Sequence, residues 1–366
     1  MKVAIVGASG FVGTRLVEHL VFGRIAEVVP VVRSFSSLAV LSRFELPWKV
    51  CDVMDAGKLA TAFAGCDAVV HAALGDPGQI VKMAGSVYAA AEKAGVRRLV
   101  ALSSAAVHGL NPPPGTDERT PIHDRQSMDY NNAKVRAEQV LRKSREQGRV
   151  ELVLLRPSIV YGPRSRLFPS VVEKLIAGTA FLVNEGQGIC NGIYVDNLID
   201  AIRLALVCDG ADGEAFLVGD AETVTWYDIH ARLADALGIG MDTVHQVKAP
   251  IFRKSFKERV EGFVATPFAQ SMLPAIPGQA KRLTKVVLGA LKPPPQPNAW
   301  TLPPPPAAEI DEEMTALQQC VWKYSNEKAA KVLGFQPPVS FDEGMRRTLA
   351  WMEFAGYPVG HPGQTH

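Results

Sequence analysis

No apolar run in the sequence reaches the ~18 to 20 residues that a membrane span needs. Nor does the start read as a signal peptide. Met1-Lys2 leads into Val3–Val6, but glycines follow at once where a signal would continue its apolar stretch. Charge of one sign is missing as well: 39 Lys and Arg face 37 Asp and Glu, a formal net charge of +2. So even a balance gives no reason to expect nucleic acid as a partner. Paired cysteines are absent. Cys51, Cys66, Cys190, Cys208 and Cys320 are odd in number, scattered, and form no CxxC. That pattern excludes a disulfide framework and a zinc site, so no metal is expected and a reducing cytoplasm fits. There are no internal repeats.

What the sequence does have is a β-α-β rhythm over its first two hundred residues. Strands are expected at Val3–Val6, Val28–Val32, Lys49–Cys51, Ala68–His71, Leu99–Leu102 and Leu152–Leu155. They are apolar with little alternation, as strands are when helices cover both sheet faces. Helical stretches such as Thr14–Val21 and Ile80–Ala94 lie between them. The expected fold is α/β: a doubly wound, parallel, Rossmann-type sheet with a smaller C-terminal substrate-binding part. Pro30 counts against the second strand, because proline cannot donate to a ladder. A dinucleotide-binding domain is expected over 1–164, completed by about 193–220, with substrate-binding residues at 165–192 and 221–366. After the sixth strand, helices are expected at Phe168–Gly178, Val195–Val207, Asp228–Leu237, Ser325–Leu333 and Phe341–Phe354, and a strand at Glu214–Val218. A basic, proline-rich insertion occupies about 248–307. Between Lys248 and Leu291 apolar and basic residues interleave at helical spacing. That suits either a lid over the substrate or helices lying in a membrane interface.

Gly7, Ser9, Gly10, Phe11, Val12 and Gly13 fall between a strand and a helix. The GxxGxxG spacing permits a tight turn, close approach of the backbone to a pyrophosphate, and close helix–strand packing. The helix N-terminus then holds the anion. At the end of the second strand stands Arg33 and no carboxylate. This favours NADP over NAD, since an acidic residue there would bond the ribose 2′-hydroxyl. Tyr130 and Lys134 stand four apart, one helical turn. A lysine ammonium beside a phenol stabilises the phenolate and lowers its pKa, so the tyrosine can exchange a proton with a hydroxyl or carbonyl. Ser103 and Ser104 close the fifth strand, at the sheet end where such folds place ligands.

These pieces, together with Cys51-Asp52-Val53, Val69-Val70-His71-Ala72-Ala73, Leu155–Pro163 and Ile193–Asn197, resemble the extended short-chain dehydrogenase/reductase family, the NAD-dependent epimerase and dehydratase group. They come in the family's order and cover residues 1 to about 220. The resemblance implies Ser104 as the catalytic Ser/Thr, Tyr130 as acid/base, and Lys134 as its partner and ribose contact. It implies cofactor contacts at Asp52, Val53, Ala72, Ala73, Pro157 and Ser158, and a homodimer. Two departures stand out. Where many sugar-nucleotide enzymes of the family carry an Arg-Asp pair, this chain has Cys190-Asn191-Gly192. After Ser104 come Ala105-Ala106 rather than the Asp-Glu of the sugar 4,6-dehydratases. The expected function is a sugar-nucleotide epimerase or reductase working by hydride transfer. The alternative is a 3β-hydroxysteroid dehydrogenase-like oxidoreductase of an apolar alcohol or ketone, which the missing arginine and the insertion favour. A diphosphate-binding arginine in the pocket would support the first, an oily pocket the second. Arg156, Arg164 and Arg166 are available for phosphates or are solvated charges. A non-catalytic sensor would have no need of Tyr130.

Overall fold

In the computed structural model, residues 1–249 and 306–360 are described. The chain divides into one unit of Met1–Lys248 with Ala308–His366 and a second of Ala249–Ala307. The first unit carries the sheet and its flanking helices. The stretches expected between 248 and 291 and the proline run to 307 lie, apart from their ends, outside the described residues.

Seven parallel strands form the central sheet. They are β1 (Lys2–Val6), β2 (Glu27–Val32), β3 (Lys49–Val50), β4 (Ala68–His71), β5 (Arg98–Leu102), β6 (Glu151–Pro157) and β10 (Ala215–Val218). Their order across the sheet is β3-β2-β1-β4-β5-β6-β10. Alternate side chains enter two cores. Ala4, Val6, Val69, Leu99 and Leu154 meet α2 (Ala56–Phe63), α3 (Pro77–Ala94) and α4 (Asp129–Gln147) on one face. Val3, Ile5, Val70, Val100 and Leu155 meet α1 (Phe11–Phe22) and α6 (Val195–Val207) on the other. With both faces covered, the interior positions of these strands are mostly apolar, which is why the sequence shows little alternation.

Pro30 does belong to β2. Gly7 N donates to Val31 O and Cys51 N to Val32 O, so odd residues of β2 face β1 and even ones face β3. Pro30 therefore lacks its N–H on the outer side, where β3 reaches only Val31 and Val32. The ladder loses nothing.

A third core gathers around Tyr161, Phe168, Tyr194, Trp226, Leu233 and Met352. It is built from β7 (Ile159–Tyr161), β9 (Gly192–Tyr194), α5 (Leu167–Ile176), α7 (Trp226–Leu237) and the last helix, α10 (Phe341–Phe354). Also present are β8 (Phe181–Val183), β11 (His245–Val247), α8 (Glu312–Gln318) and α9 (Glu327–Leu333). The strands β7, β8, β9 and β11, three residues each, are too short to mark themselves by periodicity. Among the described residues no helix is long and apolar enough to cross a membrane.

Candidate active site

The glycine loop follows β1 closely. Gly7 has φ +84°, and Gly10 N donates to its carbonyl at 3.0 Å. A Cβ on Gly13 would lie 2.1 Å from Gly7 O, and one on Gly7 would lie 2.6 Å from Ala73 N. The loop and the turn after β4 thus pack backbone to backbone, bringing Ala72 and Ala73 against Gly7. Gly10 begins α1 without a side-chain cap, and no acidic residue stands in the first turn. The leading N–H groups, beside Phe11, Val12 and Ser9, are left for an anion.

The ends of β2 and β3 bring Arg33 and Asp52 to one edge of this cleft, since Cys51 N bonds Val32 O. Arg33 is exposed and makes no hydrogen bond or ion pair among the described residues. Beside it the Ser34 hydroxyl meets those of Ser36 and Ser37, each at 2.9 Å. Asp52 is exposed and accepts from Met54 N at 2.9 Å, and Val53 packs on the core. Pro157 ends β6, and Ser158, its N–H on Val218 O, is buried next to it.

Ser104, Tyr130 and Lys134 come together beyond β5. Ser104 caps a short helical turn by accepting from Ala106 N at 3.1 Å, and its hydroxyl lies close enough to the Tyr130 phenol to favour the phenolate. Lys134 Nζ lies 5.8 Å from the Tyr130 ring centre and donates to Leu102 O at 2.9 Å. The neighbouring Ser103 turns away and donates to Glu138 Oε1 at 2.5 Å. Burial pushes the Tyr130 phenol above its ordinary value, the Ser104 hydroxyl working against it and Glu313 of α8 adding to it. Proximity to Lys134 therefore does not leave Tyr130 low, as the spacing alone suggests. Lys134 is nine-tenths buried, and burial brings its ammonium down to about 8 against the pull of Glu138.

The sequence profile described as the NAD dependent epimerase/dehydratase family matches residues 3–219. The chain belongs to this family. With it comes membership of a family of enzymes. A 3β-hydroxysteroid dehydrogenase/decarboxylase (isoform 2) of Arabidopsis thaliana is 26% identical over 382 residues, 94% of this chain; the chain spans 61% of that relative's length. The N-acetyl-alpha-D-glucosaminyl-diphospho-ditrans,octacis-undecaprenol 4-epimerase of Escherichia coli O157:H7 is 30% identical over 257 residues, 67% of this chain and 75% of the relative. Among solved structures, a double mutant of the dTDP-glucose 4,6-dehydratase DesIV from Streptomyces venezuelae, with NAD bound, shares the fold. Its TM-score is 0.69 at 21% identity, covering 96% of this chain and 97% of that one.

Within this epimerase/dehydratase fold, a pocket opens beside Ser158. Its walls include Ile159, Leu167, Phe168, Val224, Ile229 and Phe341, with Cys190 and Gly192 at the place of the Arg-Asp pair. Two carboxylates border it, and both are engaged. Asp220 accepts from Tyr161 Oη at 2.7 Å, Tyr194 N at 2.9 Å and Asn197 Nδ2 at 2.7 Å; Glu222 accepts from Phe341 N at 3.0 Å. No arginine or lysine is among the described residues that line it. Arg156 is neither a phosphate contact nor a solvated charge. It is buried, with Nε and a terminal nitrogen on the two Glu138 oxygens at 2.9 and 2.7 Å, and the other terminal nitrogen 3.1 Å from His108 Nε2. Arg164 and Arg166 are exposed. Sequence reasoning passed over Glu138, although its place four residues beyond Lys134 puts it on the same helix face as Tyr130. His71 and Glu313 carried no pattern that would mark them.

Proposed function

We propose that this protein is an NAD(P)-dependent oxidoreductase in which Tyr130 is the acid/base. The observation that carries the reading is the meeting of Tyr130 and Lys134, its ammonium 5.8 Å from the phenol ring and bonded to Leu102 O, beside Ser104 at the carboxyl end of the parallel sheet. Residues 1–164, completed by about 193–220, are read as the dinucleotide-binding part, and 165–192 with the segment after 221 as the substrate part. The nicotinamide, when bound, supplies the hydride acceptor or donor. Ser104 holds the substrate oxygen. Tyr130 Oη takes its proton on oxidation and returns it on reduction. The Lys134 ammonium stabilises the phenolate that takes this proton and is regenerated when the proton is returned, and, as in the family, contacts the ribose. NADP is the better cofactor. Arg33 has no protein partner among the described residues, and three serine hydroxyls lie beside it, a set suited to a 2′-phosphate.

For the substrate, an apolar secondary alcohol or its ketone fits best. The pocket next to Ser158 is lined mostly by aliphatic and aromatic side chains, and a diphosphate there would meet two carboxylates, with no arginine on the wall and the nearby Lys323 ammonium already bonded to Asp220 O. Likeness to the hydroxysteroid dehydrogenase runs through 94% of the chain, that to the epimerase through 67%. The sugar-nucleotide epimerase reading keeps one specific support, the 30% identity to the bacterial 4-epimerase. One experiment separates them. The protein is incubated with NADP and, in parallel, sterol alcohols and UDP- or dTDP-sugars, following reduced nicotinamide and the sugar C4 configuration. Reduction of NADP with the sterols alone is the expected result. Sugar inversion without net reduction would favour the epimerase.

A further inference from the structure

Behind Lys134, on the far side from Ser104, a small cavity lies between the sheet, α3 and α4. Apolar residues such as Ile80, Met83, Ala137 and Leu154 form most of its wall, but four polar side chains reach it: His71, Ser103, Lys134 and Glu138. His71 ends β4 and is more than nine-tenths buried, and its Nδ1 has no hydrogen-bond partner. An unpaired buried ring nitrogen is costly. Nearby, Lys134 has spent one of three N–H groups, on Leu102 O. Glu138 is bound by Ser103 and Arg156 and lies 3.9 Å from Arg142.

A cavity with several convergent polar groups suits a buried water, which needs two to four partners. We propose that the cavity holds one water bridging His71 Nδ1 and the Lys134 ammonium, making His71 a positioning residue for Lys134. The water accepts from Lys134 Nζ, donates one hydrogen to His71 Nδ1 and offers the other to Ser103 or Glu138. His71 suits the part because it stays neutral: burial, then the Lys134 charge, brings it down to about 3. A carboxylate in its place would hold the ammonium too firmly. The groups around Lys134 are thus Tyr130 and Glu138 on α4, His71 on β4, and, behind Glu138, Arg156 on β6. Glu313 of α8 acts on Tyr130.

The proposal rests on the Tyr130–Lys134 reading. Its test is NADPH binding, followed by nicotinamide fluorescence across pH 7 to 10. Wild type should weaken as Lys134 loses its proton near pH 8. His71→Leu removes the acceptor, so the ammonium should deprotonate about one unit lower, weakening NADPH about fivefold at pH 8. His71→Gln keeps an acceptor and should restore the wild-type break. A purely structural His71 would leave the break in place in both variants, and that result overturns the proposal. A crystal structure of the wild-type protein decides independently of whether His71→Leu folds: a cavity without a water bonded to both groups also overturns it. Lys134→Met is the control. If the pH break survives that substitution, the reading of Lys134 itself fails and the proposal with it.

Discussion

The phenol of Tyr130 is the group on which the proposed chemistry turns, and its environment explains why it needs help. Burial holds it protonated in the free protein, so phenolate character must come from Lys134 and Ser104 as substrate is engaged. Tyr130→Phe keeps the ring and removes the proton. Turnover should fall by ~10²-fold or more, the range of lost general acid–base catalysis, while NADPH affinity hardly changes. Steady-state rates and a fluorescence titration check both halves. Arg33 makes a second prediction. Arg33→Ala should erase most of the preference for NADP over NAD, measured as the ratio of the two dissociation constants; an unchanged ratio would show that the charge selects nothing. That Tyr130 and Lys134 would meet was legible from their spacing, while the choice of Ser104 over Ser103 came only from the family resemblance. Arg156 was not legible, because nothing local says whether an arginine at a strand end faces solvent or a buried glutamate eighteen residues earlier in the chain. The orphaned nitrogen of His71 is likewise a property of packing alone.

At the scale of elements, the loop between β1 and α1 leaves no room for side chains. Gly13→Ala would set a methyl group 2.1 Å from the Gly7 carbonyl. The helix must then move off the strand, at a cost of about 1–3 kcal/mol. The expected outcome is a lower melting temperature together with weaker dinucleotide binding, since the same shift displaces the N–H groups that face the phosphate. Long elements could be read from sequence: the last helix, Phe341–Phe354, stands where its pattern put it, and β4 keeps its expected bounds. Glycine and apolar runs bracket them. The three-residue strands β7, β8, β9 and β11 could not be read, as they exist only through partners such as the β7–β9 pairing. The short α2 was also not anticipated, although Asp55 caps it by accepting from Lys58 N.

For the whole molecule, the groups assigned to the cofactor lie at residues 7–158, far in sequence from the basic insertion. A chain lacking residues 253–292 should bind NADPH with near-native affinity yet lose most of its turnover; loss of both would show that the insertion supports the fold as well. Sedimentation with anionic vesicles at low and at high salt tests whether the insertion also holds the protein to lipid, and no binding under either condition leaves the lid. One last consequence concerns how copies of this protein behave when crowded. A parallel sheet ends in an edge that can recruit a strand from a neighbour, and among the described residues β2 is paired on its outer side only with the two residues of β3. Pro30, its missing N–H turned to that side, takes a donor out of the middle of the stretch that β3 leaves unpaired, which is buried in the free protein and comes into play once that edge loosens. Such an edge is a poor template for intermolecular pairing. Pro30→Val should therefore leave dinucleotide binding intact while raising light scattering in concentrated solutions held just below the melting temperature.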